Sequence, residues 1–552
     1  MPKKRIDIPL SRLVSAVPLA LLMMHGGSVA VEAPITPGSV LDTLGTPRSR
    51  MPATPPQVVL PVQAAPSVHE PRARRFRVNA FDMSGNTVFK TRYLKRKLER
   101  FVDMELNLYD LNKAADAITA FYHERGYTLA RATIPAQKVV DGVVQIQIVE
   151  GRIGKVAITG NHRYPSPFIA ARTGLLERGA LVTTDRLETT LLLLNDLPGL
   201  NARVVLAPGT EFGTTDAEIN LTEKLLSGSA GLNNYGRRET GENKLELALN
   251  LNSPFGWGDQ LALSGSSTDH KLVRYWKAGY SMPLNNLGTR LAVSTSHVAY
   301  EVSGALAALG IGGEVKTSEL VVSHPVQRTR NNNQTVNGGI KRNQLKQTTL
   351  GSTTSESEIS LLTAGYQLNY IHDDAEVTNA SFSFATNFKR VRTIAQQDAV
   401  IARAEVDVNH TAPFFGAWDL YLRGTYVHSP EMLPDTEKFS LGGPSSVRGY
   451  RPSEVRGDSG YLGTLELRRP FNVAGRMAIF RITADSGQVA YKGPGYRDSF
   501  ERLHSIGLGA VFYAGKNMTA SIDAARPVGS HPSYITNDGK NGRLWMSVSA
   551  NF

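Results

Sequence analysis

From Leu226 to the last residue, apolar and polar positions alternate with a period of two. Lys244–Asn252 sets Leu245, Leu247, Leu249 and Leu251 against Glu246, Ala248 and Asn250. Gly460–Phe471 sets Tyr461, Leu465 and Leu467 against Thr464, Glu466 and Arg468. Arg543–Phe552 sets Leu544, Met546, Val548, Ala550 and Phe552 against Trp545, Ser547, Ser549 and Asn551. This period predicts strands with one apolar face. A soluble sandwich would turn that face into a core between two sheets. Here no other domain remains to cover so much apolar surface, so the face is expected to meet lipid around a polar lumen. Roughly sixteen strands fit residues 227–552, at about 20 residues per strand and connection. Strand limits are least legible between residues 301 and 358, where Asn331-Asn332-Asn333, glycines and polar residues blur the alternation.

Upstream the period changes to that of helices. In residues 74–150, Phe76, Val78 and Ala80 alternate as a strand. Thr91–Asp103 reads as a first helix. Leu111, Ala114, Ala115, Ile118 and Phe121 recur at helical spacing within Asp110–Gly126. Strands are expected at Tyr127–Pro135 and Val143–Glu150. Residues 151–226 repeat the order: strand Ile153–Thr159, a short helix from Pro165, helix Thr184–Leu197, then strands Val204–Ala207 and Ala217–Thr222. Leu187, Leu191 and Leu194 mark the buried side of the longer helix. A β-α-α-β-β unit of about 75 residues therefore occurs twice. The fold class is mostly β: a C-terminal transmembrane antiparallel barrel preceded by two small β-α-α-β-β domains.

Residues 31–73 carry nine prolines, which predicts an extended linker with no helix beyond the short stretch Gly38–Gly45. Residues 1–30 read as a secretory signal peptide. Lys3, Lys4 and Arg5 precede an apolar core from Leu13 to Met24, and Ser28-Val29-Ala30 suits cleavage. An exported chain with no other apolar run of spanning length can enter a membrane only as a barrel. On that reading, short turns such as Asn285–Gly288 belong to the periplasmic side. The longer stretches Tyr235–Asn243 and Thr436–Ser459 belong outside.

Composition narrows the function further. There are no cysteines, so disulfides and thiolate metal sites are excluded. The net charge is +12, but the basic residues are dispersed, which argues against nucleic acid as a partner. No G-x-S-x-G, Walker A, G-x-G-x-x-G or H-E-x-x-H motif occurs. Gly457-Asp458-Ser459-Gly460 matches a serine-protease loop for four residues only. No catalytic, cofactor-binding or metal-binding motif is therefore expected, and the chain is not expected to be an enzyme.

One loop stands out, Phe439 to Tyr461, reading FSLGGPSSVRGYRPSEVRGDSGY. Gly442, Gly443 and Pro444 are turn chemistry, and Val447-Arg448-Gly449-Tyr450 forms the tip. An arginine held there seeks a carboxylate, which its planar fork can grip with two bonds. With two small α/β repeats, a barrel and V-R-G-Y late in the barrel, the chain resembles the outer-membrane transporters of bacterial two-partner secretion. These lie within the superfamily of outer-membrane assembly factors. The repeats resemble polypeptide-transport-associated (POTRA) domains. Glu124-Arg125-Gly126-Tyr127, Ile134-Pro135-Ala136-Gln137, Gly142 and Glu150-Gly151 follow the family's first-domain pattern.

The resemblance implies that the loop folds back into the barrel, with Arg448 paired to an aspartate of a D-x-G motif, here Asp485-Ser486-Gly487. Gly449 would allow close backbone approach and Tyr450 would pack on the inner wall. A helix often plugs the barrel in this family, so residues 31–73 read as a linker or a possible plug segment, although with only Val40–Leu44 available the segment departs from the helical pattern. The implied function is export of an unfolded exoprotein, an adhesin, cytolysin or contact-dependent toxin, recognised at the free sheet edges of the repeats. Outer-membrane lipid or lipopolysaccharide would surround the barrel. Phe552 resembles the terminal signal through which the barrel-assembly machinery receives its clients. The rival readings are an insertase, a passive porin and a barrel hydrolase with a site at the rim.

Overall fold

The computed structural model describes residues 35–44, 58–59, 75–373, 375–388, 391–392, 398–493, 499–529 and 541–552. The expected signal peptide, residues 1–30, lies outside the described residues. Within the proline-rich stretch a helix forms at the one place where the prolines leave room for it. Pro37–Asp42 is a helix, α1. Pro37 occupies the first turn, where no intrahelical donor is needed. Thr36 caps it, accepting from the Ser39 amide at 3.2 Å, while Ser39 Oγ accepts from the Thr36 amide at 3.0 Å. Six residues are too few to hold a helix in water, so its stability comes from burial. Further on, Val58–Val59 forms a two-residue strand.

In the first repeat, α2 (Thr91–Leu98) and α3 (Leu108–His123) pack on the three-stranded sheet of Ala80–Ser84, Val143–Val149 and Arg131–Thr133. The first helix ends sooner than expected, passing into a 3-10 turn at Glu99–Phe101. A strand that periodicity could not reveal, Met104–Leu106, pairs with Phe76–Val78. The strand expected at Tyr127–Pro135 shrinks to Arg131–Thr133. Val144, Ile146, Ile118 and Leu94 meet in the core, each fully buried.

The second repeat has α4 (Ser166–Ala170) and α5 (Thr184–Asn195) against Leu200–Pro208, Thr214–Glu223 and Arg152–Thr159. Leu187, Leu191 and Leu194 are buried as expected. Its sheet has a fourth member. Val58–Val59 pairs parallel with Val204–Val205 on one edge of the sheet, and Arg152–Thr159 is the outer strand at the other.

Sixteen strands from Leu226–Asn233 to Arg543–Asn551 close into an antiparallel barrel. The first and last strands pair through Ser229–Asn233 and Ser547–Asn551. Leu245, Leu247 and Leu249 are 43–53% exposed on the lipid face, and Trp545 is 3% exposed on the lumen face. In the region of blurred alternation the strands Gly312–Arg328, Asn332–Thr349 and Ser352–Asp373 run to 17, 18 and 22 residues. About 9–11 residues suffice to cross the hydrocarbon, so these strands project beyond it, where both faces can be polar. The second repeat docks against the turns at the barrel's near end. Arg328 grips Asp196 with two bonds of 2.6 and 2.8 Å, and Arg172 donates to the Asn285 carbonyl at 3.2 Å.

The motif residues at the end of the first repeat have physical roles. Gln137 clamps Gln145 through both amide atoms, at 2.8 and 2.7 Å. The buried Glu150 carboxylate accepts from the Thr87 amide (2.7 Å), the Val88 amide (2.8 Å), Tyr122 Oη (2.9 Å) and Thr87 Oγ1. Burial alone would raise this carboxyl, but the hydrogen bonds from Thr87, Val88 and Tyr122 outweigh it and hold the group below its ordinary value. A depressed carboxylate contributes stability above its unfolded value, about 4.3, and loses it as pH falls through the folded value. Glu150→Gln should therefore destabilise a fragment of residues 74–226 by about 2–3 kcal/mol at neutral pH in urea titration. The deficit should shrink toward pH 3. A deficit independent of pH would show that the charge is not what matters.

Candidate functional site

The loop after strand Trp418–His428 does not stand out into solvent. Phe439–Leu441 and Val455–Gly457 pair antiparallel, forming a hairpin that points into the barrel. Gly442 and Gly443 follow with φ of +106° and +97°, which only glycine adopts without strain. The chain then turns through Pro444–Ser446, and Val447, Arg448 and Tyr450 at the tip are all buried. Tyr450 and Val447 pack with Leu441, Leu462, Val489 and Leu503, so an apolar patch on the inner wall receives the tip.

The tip faces a polar strip built by five consecutive strands, Ser459–Val473, Arg476–Ala490, Phe500–Ala514, Met518–Pro527 and Arg543–Asn551. Strand register places Thr464, Asp485 and Ser505 in one row. Both hydroxyls donate to Asp485, each at 3.1 Å. The Arg448 amide also donates to Asp485, at 3.2 Å, and the Arg448 carbonyl accepts from Trp545 Nε1 at 2.8 Å. The loop tip is thus held by its main chain as well as by its charge.

The guanidinium meets the expected Asp485 and, more closely, a second carboxylate. Arg448 Nη2 lies 3.6 Å from Asp485 Oδ1, while its direct hydrogen bond goes to Glu466 Oε1. Glu466 is buried, and its other oxygen accepts from Arg468 Nε at 2.7 Å. Asp485 thus meets the guanidinium as an ion pair, while its oxygens accept hydrogen bonds from the Arg448 amide and two hydroxyls. Glu466 was visible as a polar member of an alternating strand, but nothing local singled it out. Beside the pair lies a cavity of about 290 Å³ lined by charged groups, among them Glu246, Arg423, Arg481 and Asp523.

The two glycines of the paired motifs have steric reasons. A Cβ on Gly449 would lie 2.7 Å from the Pro527 nitrogen and 2.8 Å from the Arg526 carbonyl carbon, both rigid wall backbone. A Cβ on Gly487 would lie 2.7 Å from Leu441 Cδ1 of the inserted hairpin. Phe552 sits just past the last strand. Its amide and carbonyl exchange 3.0 Å bonds with Gly228, and its ring is half-exposed at the seam.

Helix α1 shares the lumen. Ile35 and Val40 pack on Val273, Val298, Tyr300 and Val315 of the inner wall. Asp42 accepts from Arg456 Nε at 2.9 Å and Ser453 Oγ at 3.1 Å, and Thr36 donates to Asp435 at 2.9 Å. The helix is thus tied to both ends of the inserted loop, and the partners that tie it were not legible in the sequence.

Seating the tip requires glycine at 449. Because the chain lacks cysteine, labels can be placed at Ser445→Cys and Ser549→Cys, positions that line the same cavity. Spin-label distances between them should form one narrow population. Gly449→Val should broaden or lengthen it, and an unchanged distribution would contradict the close-approach account.

Residues 213–512 match the family model described as haemolysin secretion/activation protein ShlB/FhaC/HecB, and residues 76–151 match the POTRA domain of ShlB type. The heme/hemopexin transporter protein HuxB of Haemophilus influenzae (strain 86-028NP) is 24% identical over 479 residues, covering 82% of this chain and 83% of its own. The outer membrane transporter CdiB of Escherichia coli O6:K15:H31 (strain 536 / UPEC) is 24% identical over 407 residues, covering 70% and 67%. The solved structure of CdiB from Escherichia coli superposes with a TM-score of 0.69 at 21% identity, over 89% of this chain and 93% of that one. With its family model spanning more than half of its length, a closed sixteen-strand barrel and N-terminal repeats on the periplasmic side, this chain belongs to the ShlB/FhaC/HecB family of haemolysin secretion/activation proteins of the outer membrane.

Proposed function

We propose that this protein takes an unfolded exoprotein from the periplasm and passes it through the barrel to the cell surface. The observation that carries this reading is the filled lumen. A passive porin keeps its channel open, whereas here a folded loop and a helix occupy the lumen through side-chain packing. The relatives that match over most of the chain are named as transporters. The exoprotein would first add to a sheet edge of the first repeat, where Arg131–Thr133 is the outer strand beside α3. No nucleotide supply exists in that compartment, so folding of the exoprotein outside would supply the direction, by making return unfavourable.

Deleting residues 74–150 should abolish export while the barrel still inserts, as judged by heat-modifiable migration on gels. Undiminished export from that mutant would rule the reading out. An insertase would show a different result: loss of other barrels from the outer membrane with no defect specific to one secreted partner.

We infer that Arg448 sets the closed position of the loop. Removing one member of its buried charge cluster costs about 1–5 kcal/mol, depending on water access. Arg448→Ala and Glu466→Ala should each impair export without preventing insertion, and the double mutant should be no worse than the more severe single one. Asp485→Asn should be milder than Asp485→Ala, since it keeps an acceptor for the Arg448 amide. The readout is exported exoprotein per inserted barrel. Independent, multiplying losses from Arg448 and Glu466 would show that they do not act as a pair.

A further inference from the structure

Strands Ser352–Asp373, Glu376–Asn387 and Ala402–Phe415 are neighbours in the barrel. Their outward face is apolar through most of its height, with Leu362, Phe382, Phe384, Val406 and Val408 each more than one-third exposed. Toward the periplasmic ends this face changes character, to His372, Glu376, Thr378 and His410. Thr378 Oγ1 lies 2.9 Å from His372 Nε2 and 2.9 Å from His410 Nδ1. His410 Nε2 lies 3.7 Å from Glu376 Oε1. One donor atom from each of His372, Glu376 and His410 falls within 4.8 Å of the other two.

The backbone contributes to this convergence. Thr378 pairs directly with His410 across the ladder. On the other side Ile371 pairs with Val377 and Asp373 with Glu376, so His372 is the extra residue of a β-bulge. Bulges re-aim a side chain that regular pairing would direct elsewhere. Tyr370 then backs the His372 ring edge to face, with centroids 4.6 Å apart.

We propose that His372, Glu376 and His410 bind a divalent transition-metal ion, with Zn²⁺ the best match, on the outer face at the periplasmic end of the barrel. Two imidazoles and one carboxylate form an N₂O donor set that suits Zn²⁺, whereas Ca²⁺ and Mg²⁺ require oxygen ligands. Donors around tetrahedral Zn²⁺ lie about 3.4 Å apart, given bonds of about 2.0–2.1 Å. Reaching that spacing takes about 1 Å of movement by surface side chains. Thr378 already holds Nδ1 of His410, which leaves Nε2, the atom facing Glu376, for the ion. That is the outer-sphere contact that fixes the ring of a ligating histidine. The fourth position remains for water. The ion would tie one hairpin to the strand beyond it, stapling three strands at the periplasmic rim.

The test uses the full chain, purified in detergent without a histidine tag and stripped with chelator. Co²⁺ should bind with one equivalent, give the visible absorption of a low-coordinate site and be displaced by Zn²⁺. A His372→Gln/His410→Gln double variant should lose this spectrum, and Glu376→Gln should weaken Zn²⁺ binding about 10-fold. Zn²⁺ should also raise the temperature at which the wild-type barrel unfolds on gels, but not that of the double variant. The substituted positions are on the barrel surface, so the double variant should still insert. The chain has twelve histidines, so the variants decide the assignment. Absence of a Co²⁺ spectrum, or one that survives in the double variant, would overturn the proposal.

Discussion

Placing an arginine inside a closed barrel is the constraint on which the closed state depends. A guanidinium taken from water must find carboxylates, or the loop that carries it will not stay. The loop carries three such arginines, and each finds its partner in a different element. Arg448 is met by the wall, through Glu466 and Asp485. Arg451 is met by Glu239, from the first outer loop, at 3.1 Å, and by its own Glu454 at 3.3 Å. Arg456 is met by Asp42 of α1 and by Asp435 at the loop's entrance. The inserted loop is thus a charge hub that ties the barrel wall, an outer loop and the plug helix together.

The apolar contacts determine where this hub can sit. Val447 and Tyr450 fill one patch of the inner wall, while Gly449 lets the backbone approach the rim of Met518–Pro527. Burial by itself would accept many orientations of the tip. The row Thr464, Asp485, Ser505 removes that freedom, because Asp485 is prepared by two hydroxyls before the Arg448 amide arrives. Packing gives the loop its depth, and a preorganised carboxylate gives it its register.

What the sequence revealed follows from how local each signal is. A strand carries its own inside and outside, so the barrel, its strand number and the lipid-facing leucines could be read from alternation. The V-R-G-Y and D-S-G motifs were legible for a different reason, through resemblance. The same parity put Glu466 on the lumen side but could not rank it against Asp485. Their heights in the barrel depend on the stagger of neighbouring strands, which no single strand encodes. For helix α1 the prolines left room only at Gly38–Gly45, and six residues have too little helical preference of their own to say that one forms; its fold is a property of the lumen that encloses it. The long strands between 312 and 373 were blurred because, beyond the hydrocarbon, nothing forces one face to be apolar.

The same hub determines how the lumen can open. Withdrawing the tip alone would strand Glu466 without Arg448 and disturb the hydrogen bonds on Asp485. Withdrawing α1 alone would strand Asp42, and with it one of the two partners of Arg456. When loop and helix share their neutralising groups, moving either one raises the cost of leaving the other in place. Each intermediate therefore leaves its buried charges with fewer partners than the closed arrangement gives them, a cost that water in an emptied lumen would offset. On the proposed function, a lumen wired in this way would favour two arrangements over a continuum between them. The apolar seat of Val447 and Tyr450 then decides how strongly the closed arrangement is preferred.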